Sequence, residues 1–309
     1  MKLLFTALII GLLPVHLLAG EPAWETLVDA SRAKLDQNQF EQALELGQQA
    51  LQSVETRFGP NHNNVSVALR NLAVIYSAAG RLEEAKPYYR RALAILDRNA
   101  GVPQSDVAMV LNDLGETEKM LGNHEQAEGY YQRAITILEK VAGPNHLDTA
   151  MVLQNFAVLR QFQMHDKEAE TLFRRVLTIR EKKLGKEDSE VARTLVLLGE
   201  LYRHQHRFDD AMRSLNRAFE IQRKVEGADG YSVGMILFAL GLVEKEHSHF
   251  DRAKDFHEQA LKIQEKRFAQ DPSGLVPLLT SYEAVLRHLG YDDEAAAVAI
   301  RIKALLLKR

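Results

Sequence analysis

The sequence predicts an all-α fold, a right-handed superhelical solenoid of seven antiparallel helix pairs. Two observations carry this. Alanine recurs at Ala43, Ala85, Ala127, Ala169, Ala211, Ala253 and Ala295, each step being 42 residues with no insertion or deletion. Two more columns keep the same step: Ala50, Ala92, Ala134, Val176, Ala218, Ala260 and Ile302, and Leu27, Leu69, Leu111, Leu153, Leu195, Leu237 and Leu279. Columns in step over seven copies define a repeat. A helix pair that cannot bury both its faces alone must stack on its neighbours.

Each unit reads as helix A, a tight turn and helix B. In the second unit Leu69, Leu72, Ala73 and Tyr76 share one helical stripe, and Gly80-Arg81 ends it. Leu82, Ala85, Tyr89, Ala92 and Leu96 then mark an amphipathic helix B. Small residues at Ala73, Gly115, Ala157, Gly199 and Gly241 let helix A approach helix B closely, and large residues fill the space around them. The units fall near 24–65, 66–107, 108–149, 150–191, 192–233, 234–275 and 276–309, so one solenoid is expected over 21–309.

Composition supports this reading. The 309 residues carry a formal net charge of -3 with both signs interspersed, which gives no electrostatic case for nucleic acid. A hydrophobic fraction of 46% suffices for a continuous core. The absence of cysteine excludes disulfides, thiolate metal sites and cysteine nucleophiles.

The first 20 residues predict a cleaved Sec signal peptide. Met1-Lys2 is a charged start, Leu3 to Leu13 an apolar run ended by Pro14, and Leu17-Leu18-Ala19-Gly20 a small-residue cleavage region. An uncleaved anchor is the alternative, but the run falls short of the ~20 residues a spanning helix needs. The expected location is the periplasm or outside the cell, with no integral membrane segment after cleavage.

The columns resemble the tetratricopeptide repeat. The family's pattern falls on Leu69, Leu72, Ala73, Tyr76, Ala85, Tyr89 and Ala92. The usual period is about 34 residues, so the 42 here implies a longer helix B and an added turn. That turn reads Gly59-Pro60-Asn61-His62 and Gly143-Pro144-Asn145-His146, with weaker versions at Gly101, Gly185 and Gly227. The variant is similar to the repeats of kinesin light chains and their bacterial relatives. The resemblance implies a concave groove, lined by helix A, that grips a protein or peptide partner. No coiled coil precedes the repeats, so motor binding is not implied.

By this register the groove residues are Arg70, Asn71, Asn112, Asp113, Gln154 and Asn155, then Val196, Leu197 and Phe238. The amides can pair with an extended peptide backbone, and the apolar set can anchor a side chain. Met109, Met151 and Met235 add an adaptable column, and Lys119, Arg203, Lys245 and Arg287 a mostly basic file. The amides and the apolar set are expected to face solvent in the groove, whereas the methionine column fits inter-repeat packing equally well. Leu305, Leu306 and Leu307 follow the last helix B uncovered, which predicts either a fold-back or self-association through the C-terminal unit.

No G-x-x-x-x-G-K-[ST], G-x-S-x-G or H-E-x-x-H motif occurs, and acidic pairs such as Glu83-Glu84 sit where they complement a helix dipole. The chain therefore reads as a scaffold rather than an enzyme, with no cofactor. One oddity remains. His124, His165, His204, His206, His247, His249 and His288 all fall in the turns between helices A and B. The alternative function is thus a metal-binding or pH-responsive edge, with His204, His206, His247 and His249 as its residues. Ordinary polar turn composition is the preferred explanation of these histidines.

Overall fold

The computed structural model describes residues 23–99, 101–269 and 271–307. The expected signal peptide and the terminal Lys308-Arg309 lie outside them. The described residues contain fourteen α-helices and no strand. They divide into two compact units, one up to residue 100 and one from residue 101 on.

The first unit holds α1 (Trp24–Asp36) with α2 (Phe40–Phe58), and α3 (Asn63–Ala78) with α4 (Leu82–Arg98). The second holds five pairs: α5 (Gln104–Met120) with α6 (His124–Val141), α7 (Leu147–Phe162) with α8 (Asp166–Leu184), and α9 (Ser189–His204) with α10 (Phe208–Glu226). It continues with α11 (Tyr231–Glu246) and α12 (Phe250–Arg267), then α13 (Val276–Leu289) and α14 (Asp292–Leu306). A short 3-10 turn at Pro272–Leu275 leads into α13. Within each unit every helix packs on the one before it.

The repeat columns are the core. All seven alanines of the first column are fully buried, the seven leucines of the third are buried, and only Ile302 in the second is less than buried. Small residues mark the closest approaches. A Cβ on Gly115 would meet the Tyr131 ring at 2.7 Å, and one on Gly199 would meet Leu215 at 2.7 Å.

Helix B is the longer helix in each of the seven repeats; α2, α8 and α10 have 19 residues, and their partners α1, α7 and α9 have 13, 16 and 16. In repeats two to six helix A begins about one turn earlier than the sequence register places it. His62, His146 and Asp188 cap it with a side-chain acceptor, three residues after the loop glycine in each case. Gly59, Gly143, Gly185 and Gly227 take positive φ at the end of helix B. At Gly101 the following residues are Val102-Pro103 rather than Pro-Asn-His, and here the two units divide.

An arginine column on helix B ties successive repeats together. Arg91 reaches Glu55 at 2.5 Å, Arg175 reaches Glu139 at 2.7 Å, Arg217 reaches Glu181 at 2.6 Å and Arg301 reaches Glu265 at 2.6 Å. The first three also donate to the loop carbonyls of Pro60, Pro144 and Lys186.

The turn between helices A and B keeps one geometry throughout. Asn38, Gly80, Gly122, Met164, His206, Ser248 and Gly290 all have positive φ, again in steps of 42. Four of these are not glycine and bear the steric cost of that conformation.

Candidate functional site

In the second unit the sequence-predicted residues sit on the side where neighbouring A helices meet. There α5 touches α7, and α9 touches α11. Two halves differ in chemistry.

Between α5 and α7 the amides are spent on each other. Asn155 Nδ2 donates to Asn112 Oδ1 at 2.9 Å, and Asn112 is buried. Gln154 Oε1 accepts from Arg180 Nη1 at 2.6 Å, and that buried guanidinium also donates to Thr194 and pairs with Glu190. In the first unit Asn71 is 4% exposed, donates to Ser31 Oγ at 2.7 Å and accepts from Arg32 at 3.3 Å. The expectation that these amides face solvent is therefore corrected for Asn71 and Asn112. A buried asparagine between two helices needs a partner of its own, and the adjacent repeat supplies it. Arg70, Asp113, Gln154 and Asn155 are partly buried, as are Met109 and Met151.

Across α9 and α11 the surface is apolar. Val196, Leu197, Phe238 and Ala239 pack on one side against a core containing Leu195, Leu198, Leu237 and Leu240, and keep part of their area in water. Met235 is exposed beside them. Glu200, one turn beyond Leu197, is open to water yet crowded by protein. The lost hydration pushes its carboxyl above the usual range, against the smaller pull of Arg203 and His204.

The basic file is largely neutralised. Lys119 pairs with Glu116 at 2.7 Å, and Glu116 also accepts from Tyr131 Oη at 3.0 Å. Arg203 pairs with Glu246, and Arg287 with Glu283. Lys245 is partly buried. Such paired charges give little preference for an acidic ligand. At the last repeat Leu305 turns inward onto Leu275 and Leu279, while Ile300, Leu306 and Leu307 point outward.

The turns bring together the residues at i and i+5 on either side of the positive-φ position at i+4. Lys34 reaches Gln39 at 2.9 Å, Arg81 lies over Tyr76, Asn123 donates to Glu118 at 2.7 Å, and Arg207 lies over Tyr202. Of the four histidines singled out from sequence, His247 and His249 come together, joined by Glu244. His204 lies against Arg203, and His206 packs edge-on to Phe208. Glu244 was not legible as a partner, because it lies in helix A, outside the turn where the histidines cluster. The signal that finds it is the i to i+5 pairing seen in the other turns.

Comparison with known proteins places these features in one family. Among solved structures the chain is similar to BtubC (BKLC) from P. vanneervenii, with 18% identity, a TM-score of 0.62, and coverage of 80% of this chain and 93% of that one. It is similar to a protein from Podosopora anserina named for a kinesin light chain with nearly identical TPR-like repeats: 19% identity, TM-score 0.55, coverage 65% and 96%. A tetratricopeptide repeat protein from Parabacteroides merdae gives 19%, 0.60, 91% and 93%. At these identities the likeness is one of fold. No curated protein matches. The tetratricopeptide repeat family profile matches residues 25–98, 106–182 and 190–266. With the helix pairs and buried small-residue columns described above, the chain belongs to the tetratricopeptide repeat family and is a protein-interaction scaffold.

Proposed function

We propose that the protein is exported to the periplasm or beyond the cell, and that it holds a peptide segment or assembly partner on the helix A face of its second unit. The observation that carries the binding reading is the apolar surface of α9 and α11. Val196, Leu197 and Phe238 are anchored in the core on one side and wet on the other, with Met235 exposed alongside. Fixed apolar side chains of this kind accept a partner's side chains with little loss of their own freedom. The neighbouring α5–α7 stretch is already hydrogen-bonded, so it borders the surface rather than anchoring the ligand. The reading is of a non-catalytic scaffold.

A photo-crosslinking residue placed at Leu197 or Met235 tests this in the native extract. Crosslinks to one partner are expected from these sites and not from Asn216 or Lys262 on helices B. Crosslinks confined to the helix B positions would place the partner on the other face. Export is tested separately: N-terminal sequencing should begin at Gly20 or Glu21, and an intact Met1 on a membrane-bound product would overturn it. The outward Ile300, Leu306 and Leu307 make self-association part of the proposal. Sedimentation of an Ile300→Asp, Leu306→Asp variant at lower mass than the parent would support it.

A further inference from the structure

We infer that the turn joining α11 to α12 is a binding site for a divalent transition-metal ion, Zn²⁺ by its donor set, formed by Glu244, His247 and His249. The fold brings the side chains at i and i+5 together at these turns, with i+3 beside them in repeats four and five, and the sequence then decides what they do. In repeat three they are Glu118, Leu121 and Asn123; in repeat four, Arg160, Gln163 and His165; in repeat five, Tyr202, Gln205 and Arg207. Among these turns repeat six alone supplies a carboxylate and two imidazoles. Their ligand atoms lie within 4.8 Å of one another.

The three are held by different means. Glu244 is 3% exposed, and its Oε2 lies 2.7 Å from His249 Nδ1. The Arg252 guanidinium pairs loosely with Oε1 at 3.6 Å and is itself largely in water, so it is free to move off the buried carboxylate. His247 stacks on Phe208 with ring centroids 4.8 Å apart, and its ring centroid is 4.3 Å from that of His249. Phe208 thus orients one ligand and the carboxylate orients the other, as supporting residues do at metal sites. Glu244 Oε2 and His249 Nδ1 are already within hydrogen-bond reach of each other, and a metal bound between them replaces that contact. Both histidines are exposed, so an ion enters from solvent and keeps water at its remaining positions. Ser248 fixes the spacing, since its φ of 66° bends the chain so that both flanking histidines face Glu244.

The site uses none of Val196, Leu197, Met235 and Phe238, so its test is independent of that reading. Titration calorimetry of the purified protein with ZnCl₂ should give one equivalent at micromolar affinity, and Zn²⁺ should raise the melting temperature by linkage. His247→Ala and His249→Ala each remove an exposed ligand and should weaken binding by at least about tenfold, the low end of what even a supporting residue contributes at a metal site. His204→Ala and His165→Ala should leave it unchanged. Glu244→Gln, which keeps the shape of the buried side chain, should weaken it as well. Absence of binding at submillimolar Zn²⁺, or binding that survives both His247→Ala and His249→Ala, would overturn the assignment.

Discussion

Repeats three and four and repeats five and six share one backbone plan but are held by different chemistry. Repeats three and four are joined by polar networks: the Asn112–Asn155 pair, the Lys119–Glu116–Tyr131 chain, and Arg160 clamped on Glu128 at 2.6 Å. Repeats five and six rely on apolar side chains, with Leu215 where repeat three has Tyr131, and Val196 and Leu197 where it has Asn112 and Asp113. The alanine and leucine columns are buried alike in both halves. Those columns fix the fold, and the positions between them are free to become a sealed polar joint or an open apolar surface.

The largest expected effect lies at an imidazole buried within the apolar half. His257 is fully buried, donates or accepts at Nε2 with Ser281 Oγ at 2.8 Å, and faces Phe238, Tyr282 and Lys245. Burial, aided by Lys245, pushes its imidazole down from 6.5 to about 4. The neutral form is the folded one, so the contribution is complete above pH 6.5 and is lost as pH falls from there to about 4, a change of about 3 kcal/mol. Denaturant melts across that window should show the loss, and His257→Leu, which copies Leu215, should remove that part of the slope. An unchanged slope in the variant would break the contrast between halves.

Next come the close approaches. Gly115→Ala drives a methyl into a Tyr131 ring pinned by Glu116, whereas Gly199→Ala meets the movable leucine end of Leu215. Overpacking of this kind costs about 1–3 kcal/mol. Chemical denaturation should place Gly115→Ala near the upper end and Gly199→Ala near the lower.

A smaller effect attends the amide pair. Asn155→Ala leaves the buried Asn112 Oδ1 without its donor, at about 1–2 kcal/mol. The double change Asn112→Leu, Asn155→Leu should cost less than Asn155→Ala, because it converts the joint to the apolar kind. A double variant worse than the single would mean that the polar and apolar joints are not interchangeable. The smallest effect is at Arg203→Ala, which breaks a partly exposed pair with Glu246 and should cost under about 1 kcal/mol in the same assay.

The buried columns and the helix pairing were legible because burial repeats with the chain, and a fixed step of 42 exposes that period directly. Depth was not legible. Asn71 and Asn155 occupy one column, yet one is buried against Ser31 and the other only partly covered. The register states which side of a helix a residue takes, while its depth depends on what the next repeat offers. The division after residue 100 left only a faint mark, since Gly101 keeps its place in the column and only its neighbours change.

The left-handed turn has one more consequence. Because the same bend recurs at each step of 42, any set of three side chains that works at one turn is portable to another. Glu118 already stands where Glu244 does, buried and paired across its turn with Asn123. Leu121→His with Asn123→His would write the repeat-six triad into repeat three without touching an alanine or leucine column. The edge of this scaffold is in that sense programmable, one turn at a time, while the core that carries it stays as it is.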